Sequence, residues 1–274
     1  MPQHLFRQFR LFVLALIAVC TPAWGGQLFF AVNEGSSSAQ DTLFRNQKYQ
    51  RLIDKIGQVT GKKVVFETSN VLSVLDRNIA RQRYDLAFVR PSTMTARAIR
   101  DHGYRLVAMG KGEIKVHFIV PPDSQLKDMR DLQGRFILLP DKQSAPTQVA
   151  LAVMRDAGID STNVRVQMLS QQEAVLYSLE NRLADVGVLA NPKTVQSWQQ
   201  KGGRVLYVKD KLPFWAVIAS PAVSDATVQA VRKMLIELEQ SPEGQEILKD
   251  IEVKGFVPGD PQAYLDMLKW LEGK

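Results

Sequence analysis

The sequence is poor in cysteine and in histidine. Its only cysteine, Cys20, lies in an apolar stretch near the N-terminus, so the remainder of the chain cannot form a disulfide. A chain of 274 residues buries enough apolar surface to fold without one. His102 and His117 stand alone, without the spacing of a zinc site. We therefore predict no metal, no cofactor and no cysteine nucleophile.

The sequence also lacks long charge runs and the short motifs of common enzymes. There is no Gly-x-Ser-x-Gly elbow, no P-loop and no dinucleotide fingerprint, so we predict that the protein is not an enzyme. Basic residues are scattered among acids, which argues against a nucleic-acid partner. The formal charge of +7 becomes +5 without residues 1–25, and this excess suits either an anionic ligand or simple solubility.

The longest apolar run, at residues 11–19, is too short to span a bilayer. Arg7 and Arg10 precede it, and Ala23-Trp24-Gly25 follows with the small residues that signal peptidases recognise. This pattern predicts a cleaved export signal at residues 1–25 and a periplasmic mature protein. An uncleaved anchor is one alternative. Acylation at Cys20 is another, although a valine stands before it where a small residue is expected.

Buried strands alternate with helices along most of the chain. We predict strands at 27–32, 63–67, 84–89, 106–109, 114–120, 136–139, 164–169, 185–190, 204–208 and 215–219. Helices are predicted at about 41–57, 71–79, 144–157, 171–183 and 191–200, another is opened by residues 90–93, and three follow in the C-terminal tail. This alternation predicts two α/β units whose sheets are mostly parallel. The helical tail has no sheet of its own and is expected to pack on the first unit.

The functional prediction depends most on the stretch at residues 131–148. Gly134 supplies a turn, and an apolar strand follows and ends at Pro140. Ser144 then caps a helix, with Pro146 in its first turn, where a missing N–H costs nothing. A strand that delivers its carboxyl end to a helix N-terminus makes an anion site, because free N–H groups and the positive end of the helix dipole converge there.

The same event recurs at residues 34–38, 90–93 and 191–194, where short polar segments follow apolar strands. Ligands bind outside the carboxyl ends of strands in open α/β sheets, so two such sheets facing each other would enclose an anion-binding cleft. The expected ligand-binding residues are Ser36, Ser37, Arg90, Ser92, Thr93, Ser144, Ala145, Thr147 and Asn191.

Ser144 and four residues outside this set have more than one interpretation. Ser144 can serve only as a helix cap. Phe214 and Trp215 can line the cleft near a hinge or pack in the core, and the core is favoured. Glu34 can meet a ligand amine or stay solvated, and Asp185 can hydrogen-bond only to its own surroundings.

Three segments resemble a known family. They are Tyr84-Asp-Leu-Ala-Phe-Val-Arg-Pro91, Asp131-Leu-Gln-Gly134 with its strand and Ser144 loop, and Leu183-Ala-Asp-Val-Gly187. Across nearly the whole mature chain the sequence resembles the phosphonate-binding periplasmic solute-binding proteins of ABC importers. One departure is Ser144-Ala-Pro-Thr147, where the family has a run rich in hydroxyls and glycine. The ligand therefore stays open among phosphonates, phosphite, phosphate and small carboxylates.

The resemblance implies a type II-like, two-lobed α/β fold whose lobes are joined by crossing hinge strands. We expect one lobe at residues 26–112 plus 213–274 and the other at 113–212. The implied function is capture of a small anion for the membrane permease of an ABC importer, by a monomer. Two alternatives are a sensory protein that presents its bound state to a receptor or sensor kinase, and a secreted enzyme on the same scaffold.

Overall fold

The computed structural model describes residues 26–33, 42–68, 71–160 and 162–274. The strands are β1 (Gln27–Asn33), β2 (Lys63–Thr68), β3 (Leu86–Val89), β4 (Arg105–Gly110), β5 (Ile114–Val120), β6 (Phe136–Leu139), β7 (Arg165–Met168), β8 (Val186–Leu189), β9 (Arg204–Leu212), β10 (Ala216–Ala219) and β11 (Phe256–Val257). The helices are α1 (Thr42–Thr60), α2 (Leu72–Ala80), α3 (Ser92–His102), α4 (Ala145–Asp156), α5 (Gln172–Glu180), α6 (Pro192–Gln200), α7 (Asp225–Glu237), α8 (Pro242–Asp250) and α9 (Pro261–Leu271). No helix in these ranges combines the length and apolar character that a membrane crossing requires.

The strands form two sheets. The first sheet has the order β11-β4-β10-β3-β1-β2, and the second has the order β7-β6-β8-β5-β9. The chain passes from the first sheet to the second between β4 and β5 and returns between β9 and β10. Strands from residues 27–110 and 216–257 thus build one sheet and those from 114–212 the other. The exact lobe boundaries stay a prediction.

The two-lobed α/β class is confirmed, but the pairing within the sheets is mixed where mostly parallel sheets were expected. Strands β1, β2 and β3 pair in parallel, as do β6, β7 and β8. Strand β10 returns from the second sheet and inserts antiparallel between β3 and β4. In the second sheet β5 runs antiparallel to both β8 and β9. The strands next to the two crossings are therefore the ones that break the parallel pattern.

An aspartate pins the start of a parallel strand pair in each sheet. The Asp85 carboxylate accepts a hydrogen bond from the backbone N–H of Phe29 at 2.8 Å, and the N–H of Asp85 donates to the Phe29 carbonyl at 2.9 Å. Asp185 does the same with Phe136, at 2.8 and 3.0 Å. Asp185 therefore has a structural hydrogen-bonding role, but its partner lies 49 residues away in the sequence, where the prediction was a cap or a local hydrogen bond.

The C-terminal tail differs from the expectation in two respects. It contributes the two-residue strand β11 to the edge of the first sheet, pairing with β4, and two residues are too few for a periodicity to reveal. Helix α9 packs on α3 and also contacts α4 beside the second sheet. Arg155 of α4 donates to the carbonyls of Trp270 and Leu271 at 2.8 and 3.1 Å. The tail thus reaches both α/β units.

Candidate anion-binding site

A cavity of about 1030 Å³ opens between the two sheets. Its walls come from the starts of α3, α4 and α5, from α6 and the two residues before it, from both links between the sheets, from β5 and from the turn after α8. The lining residues are Arg90, Pro91, Lys111, Gly112, Glu113, Ile114, Lys115, His117, Ser144, Ala145, Pro146, Gln172, Ala190, Asn191, Pro192, Lys193, Val195, Gln196, Gln199, Phe214, Trp215, Glu252 and Lys254. Five cationic side chains and two carboxylates line it, so its electrostatic potential favours an anion.

Arg90 follows β3 directly and brings a buried cation to the cavity. It is only 8% exposed, and its guanidinium carbon lies 4.1 Å from the centroid of the Trp215 ring. Its Nη2 donates to the Ile251 carbonyl at 3.4 Å and lies 4.0 Å from a Glu252 carboxylate oxygen. The contact with an aromatic face fixes the orientation of the guanidinium and of its planar N–H donors.

The hydroxyls of Ser92 and Thr93, at the start of α3, are buried beside the cavity and do not line it. Ser92 Oγ lies 3.6 Å from the sulfur of Met267, and Ser92 is 1% exposed. Thr93 Oγ1 has no hydrogen-bond partner among the described residues. The preceding residue, Pro91, does line the cavity, so the positive end of α3 faces it.

The start of α4, which belongs to the unit of the second sheet, also lines the cavity. Ser144 adopts an extended conformation and accepts a hydrogen bond from the N–H of Thr147 at 3.4 Å, as a helix cap does. Its hydroxyl also lies 3.3 Å from Thr147 Oγ1, which itself donates to the Pro140 carbonyl at 3.0 Å. Thr147 is fully buried behind Ser144, while Ser144, Ala145 and Pro146 reach the cavity wall.

Three backbone N–H groups around the start of α6 are already bound by side chains. The side-chain oxygen of Gln172 accepts hydrogen bonds from the N–H groups of Ala190 and Asn191, at 2.6 and 2.9 Å. The Asn191 side chain caps α6 by accepting from the N–H of Lys193 at 3.0 Å, and Pro192 has no N–H to offer. Gln172 thus stands where an anionic oxygen would otherwise find two donors.

A carboxylate links the two sides of the cavity. Glu252, which follows α8, contacts Lys48 of α1 at 2.9 Å and Lys193 of α6 at 3.1 Å. Burial alone would raise its pKa, but the hydrogen bonds from the two lysines outweigh that effect and lower the pKa to about 2. Glu252 also has a positive φ of 55°, a conformation that costs a non-glycine residue energy. This arrangement holds a permanent negative charge within reach of Arg90.

Four of the ligand-binding residues predicted from the sequence line this cavity: Arg90, Ser144, Ala145 and Asn191. Ser92, Thr93 and Thr147 lie buried behind that surface. Ser36, Ser37 and Glu34 fall outside the described residues. Phe214 and Trp215 line the cavity and also pack against the core, so both interpretations hold.

Sequence reasoning missed most of the remaining lining residues, including His117, Gln172, Lys193 and Glu252. Burial lowers the pKa of the His117 imidazole from 6.5, and its Nδ1 has no hydrogen-bond partner among the described residues. Gln172 is the first residue of α5. Polar side chains are common at helix starts, so its sequence position alone does not mark it as part of a site. No sequence pattern marks Glu252, because only the packing of α1 and α6 around it gives it partners.

Comparisons with known proteins agree with this fold. The chain matches a family model described as the periplasmic substrate-binding protein of an ABC phosphonate transporter, over residues 38–264. PhnD1 from Prochlorococcus marinus, solved with methylphosphonate, aligns with 92% of this chain and 98% of its own at 11% identity and a TM-score of 0.72. The binding component of an ABC phosphonate transporter from Pseudomonas aeruginosa aligns over 89% and 85% at 13% identity and a TM-score of 0.69.

A protein from Xanthomonas citri, solved with ATP, aligns with 90% of this chain and 97% of its own at 14% identity and a TM-score of 0.75. No curated protein sequence matches.

Two α/β units with a cavity between them match the class of two-lobed solute-binding proteins. The family match spans most of the sequence. The chain therefore belongs to the phosphonate-type family of periplasmic substrate-binding proteins of ABC transporters.

Proposed function

We propose that the protein is the substrate-binding component of an ABC importer and captures a small phosphorus oxyanion, a phosphonate, phosphite or phosphate, in the cavity between the sheets. The observation that carries the proposal is the meeting of two helix starts and one buried guanidinium. Helix α3 follows a strand of the first sheet and α4 follows a strand of the second. Arg90, Ser144 and Ala145, at the starts of these helices, all line the cavity.

The chemistry of these groups matches an oxyanion better than a cation or an apolar ligand. Helix N-termini supply N–H donors and a positive partial charge, and a guanidinium can bind two oxygens at once. The Ser144 hydroxyl accepts from the N–H of Thr147 and donates its one proton to Thr147 Oγ1 at 3.3 Å. That second hydrogen bond is long enough to be exchanged for one to a ligand oxygen. We therefore place the anionic group between Arg90 and Ser144.

A thermal-shift screen tests the proposal. The panel contains methylphosphonate, phosphite, phosphate and ATP, with acetate as the control anion. A ligand at about a hundred times its Kd adds roughly 2.7 kcal/mol to the free energy of unfolding. At roughly 2–4 °C per kcal/mol the melting temperature should rise by about 5–10 °C. ATP is included because a structural relative was solved with it.

Arg90→Gln should abolish the shift while the protein still folds, and Arg90→Lys should retain part of it, because the charge stays and the planar fork is lost. The absence of a shift with every phosphorus oxyanion would contradict the proposal. Uptake of the identified anion by cells lacking the protein then separates the two physiological roles. Lost uptake supports the importer, whereas normal uptake with a lost transcriptional response would indicate a sensor.

A further inference from the structure

Two aromatic rings join the links between the sheets. Phe214 and Trp215 lie in the link from β9 to β10, and their rings stack with centroids 4.2 Å apart and planes inclined by 21°. The backbone N–H of Gly110, at the start of the other link, donates to the Trp215 carbonyl at 2.9 Å. The two links therefore meet at this pair of rings.

The ring of Phe214 also packs closely against the backbone of two glycines. A Cβ atom on Gly110 would lie 3.1 Å from a Phe214 ring carbon, and one on Gly112 would lie 3.4 Å from three of them. Gly112 also has φ of +143°, which other residues rarely adopt. The Phe214 carbonyl accepts a hydrogen bond from the buried Tyr264 hydroxyl at 2.6 Å. Side chain and backbone of Phe214 are thus both held in place.

Trp215 connects Phe214 to Arg90, the buried cation of the proposed site. Its ring lies 4.1 Å from the guanidinium carbon of Arg90, and both residues line the cavity. Glycine backbone, Phe214, Trp215 and Arg90 therefore form one continuous series of contacts, here called the linker stack. It runs from the links between the sheets to the proposed anion site.

We propose that Trp215 is a positioning residue for Arg90, and that the linker stack couples the conformation of the two links to the orientation of the guanidinium. The proposal rests on the proposed function, since it assumes that Arg90 meets the anion. A change in the dihedral angles of the links should move the rings, and the orientation of Arg90 should change with them, because cation–π attraction favours a guanidinium that stays over the ring face. Anion binding and movement of the units then depend on the same contacts.

The competing interpretation is that Trp215 only fills space, because it also packs against the core. The two interpretations predict that different residues can replace Trp215 without loss of anion binding. Positioning requires an aromatic face, which phenylalanine keeps and leucine does not. Space filling requires only apolar volume, which leucine also supplies.

The experiment measures Kd for methylphosphonate and for inorganic phosphate by calorimetry in wild type, Trp215→Phe and Trp215→Leu. Trp215→Leu should weaken binding at least tenfold, and Trp215→Phe should stay within about threefold of wild type. Trp270→Leu is the matched control, because Trp270 also carries a cation, Lys209 at 4.7 Å, away from the cavity. Its Kd should equal that of wild type. Wild-type affinity in Trp215→Leu, or equal loss in both Trp215 variants, would overturn the proposal.

A second measurement needs no ligand and so separates this inference from the proposed function. Urea unfolding of Trp215→Leu, Arg90→Gln and the double variant forms a double-mutant cycle. If the ring holds the guanidinium, the double variant should lose clearly less stability than the two single losses together. Additive losses would refute positioning even if an anion binds. Coupling without binding of any anion would refute the proposed function and leave the contact between Trp215 and Arg90 established.

Discussion

Replacing Ser144 with alanine tests both roles that its hydroxyl can have, and the protein contains a matched control for one of them. Ser144 caps α4 through the N–H of Thr147 at 3.4 Å, and Ser224 caps α7 through the N–H of Thr227 at 3.3 Å. The hydroxyls within each pair lie 3.3 and 3.0 Å apart. Only Ser144 lies on the cavity. The two serines share their capping geometry and differ in access to the proposed ligand.

Both alanine substitutions should lower stability by a similar amount. Loss of a serine cap costs about 1 kcal/mol, which lowers the melting temperature by roughly 2–4 °C in a chain of this size. Only Ser144→Ala should also weaken anion binding. One hydrogen bond to a charged ligand contributes about 1.5–3 kcal/mol, which corresponds to a roughly ten- to hundredfold rise in Kd.

The assay is calorimetric titration of the anion identified by thermal shift, combined with melting curves of both variants without ligand. Ser224→Ala should keep the wild-type Kd. If Ser144→Ala also keeps the wild-type Kd while its melting temperature falls, Ser144 is only a cap. The anionic group would then not lie at the start of α4.

Three further changes test the fold and its charges. Gly187→Ala should cost about 1–3 kcal/mol in urea unfolding, because its Cβ would lie 2.9 Å from a methyl of the buried Val175; unchanged stability would contradict that packing. The free energy of unfolding should decrease as the pH drops below 6.5, since burial keeps the pKa of His117 lower in the folded protein than in the unfolded chain. His117→Asn should reduce this dependence of stability on pH. Glu252→Gln should destabilise the protein at pH 7 and progressively less as the pH falls from 4.5, the ordinary pKa of a glutamate, to about 2, the folded-state pKa of Glu252. A constant difference would refute the pairing of Glu252 with Lys48 and Lys193.

The local structure near the candidate site could be predicted from the sequence because its causes are local. Ser144 followed by Pro146 and an apolar stripe indicates where α4 begins, and its helix, Ala145–Asp156, agrees with the predicted range of 144–157. Tyr84 to Val89 predicts a buried strand that delivers Arg90 to its carboxyl end, and β3 does so. Capping preferences and hydrophobic periodicity act within a few residues, so the sequence alone carries them.

Only the tertiary structure decided which strands pair and which polar groups meet. The insertion of β10 between β3 and β4 depends on the path of the returning chain, which no local pattern encodes. Gln172 binds the N–H groups of Ala190 and Asn191 across 18 and 19 residues. Lys193 reaches Glu252 across 59 residues. Such contacts form because burying the whole core brings distant segments together, and the side chains then satisfy whichever polar groups packing places beside them.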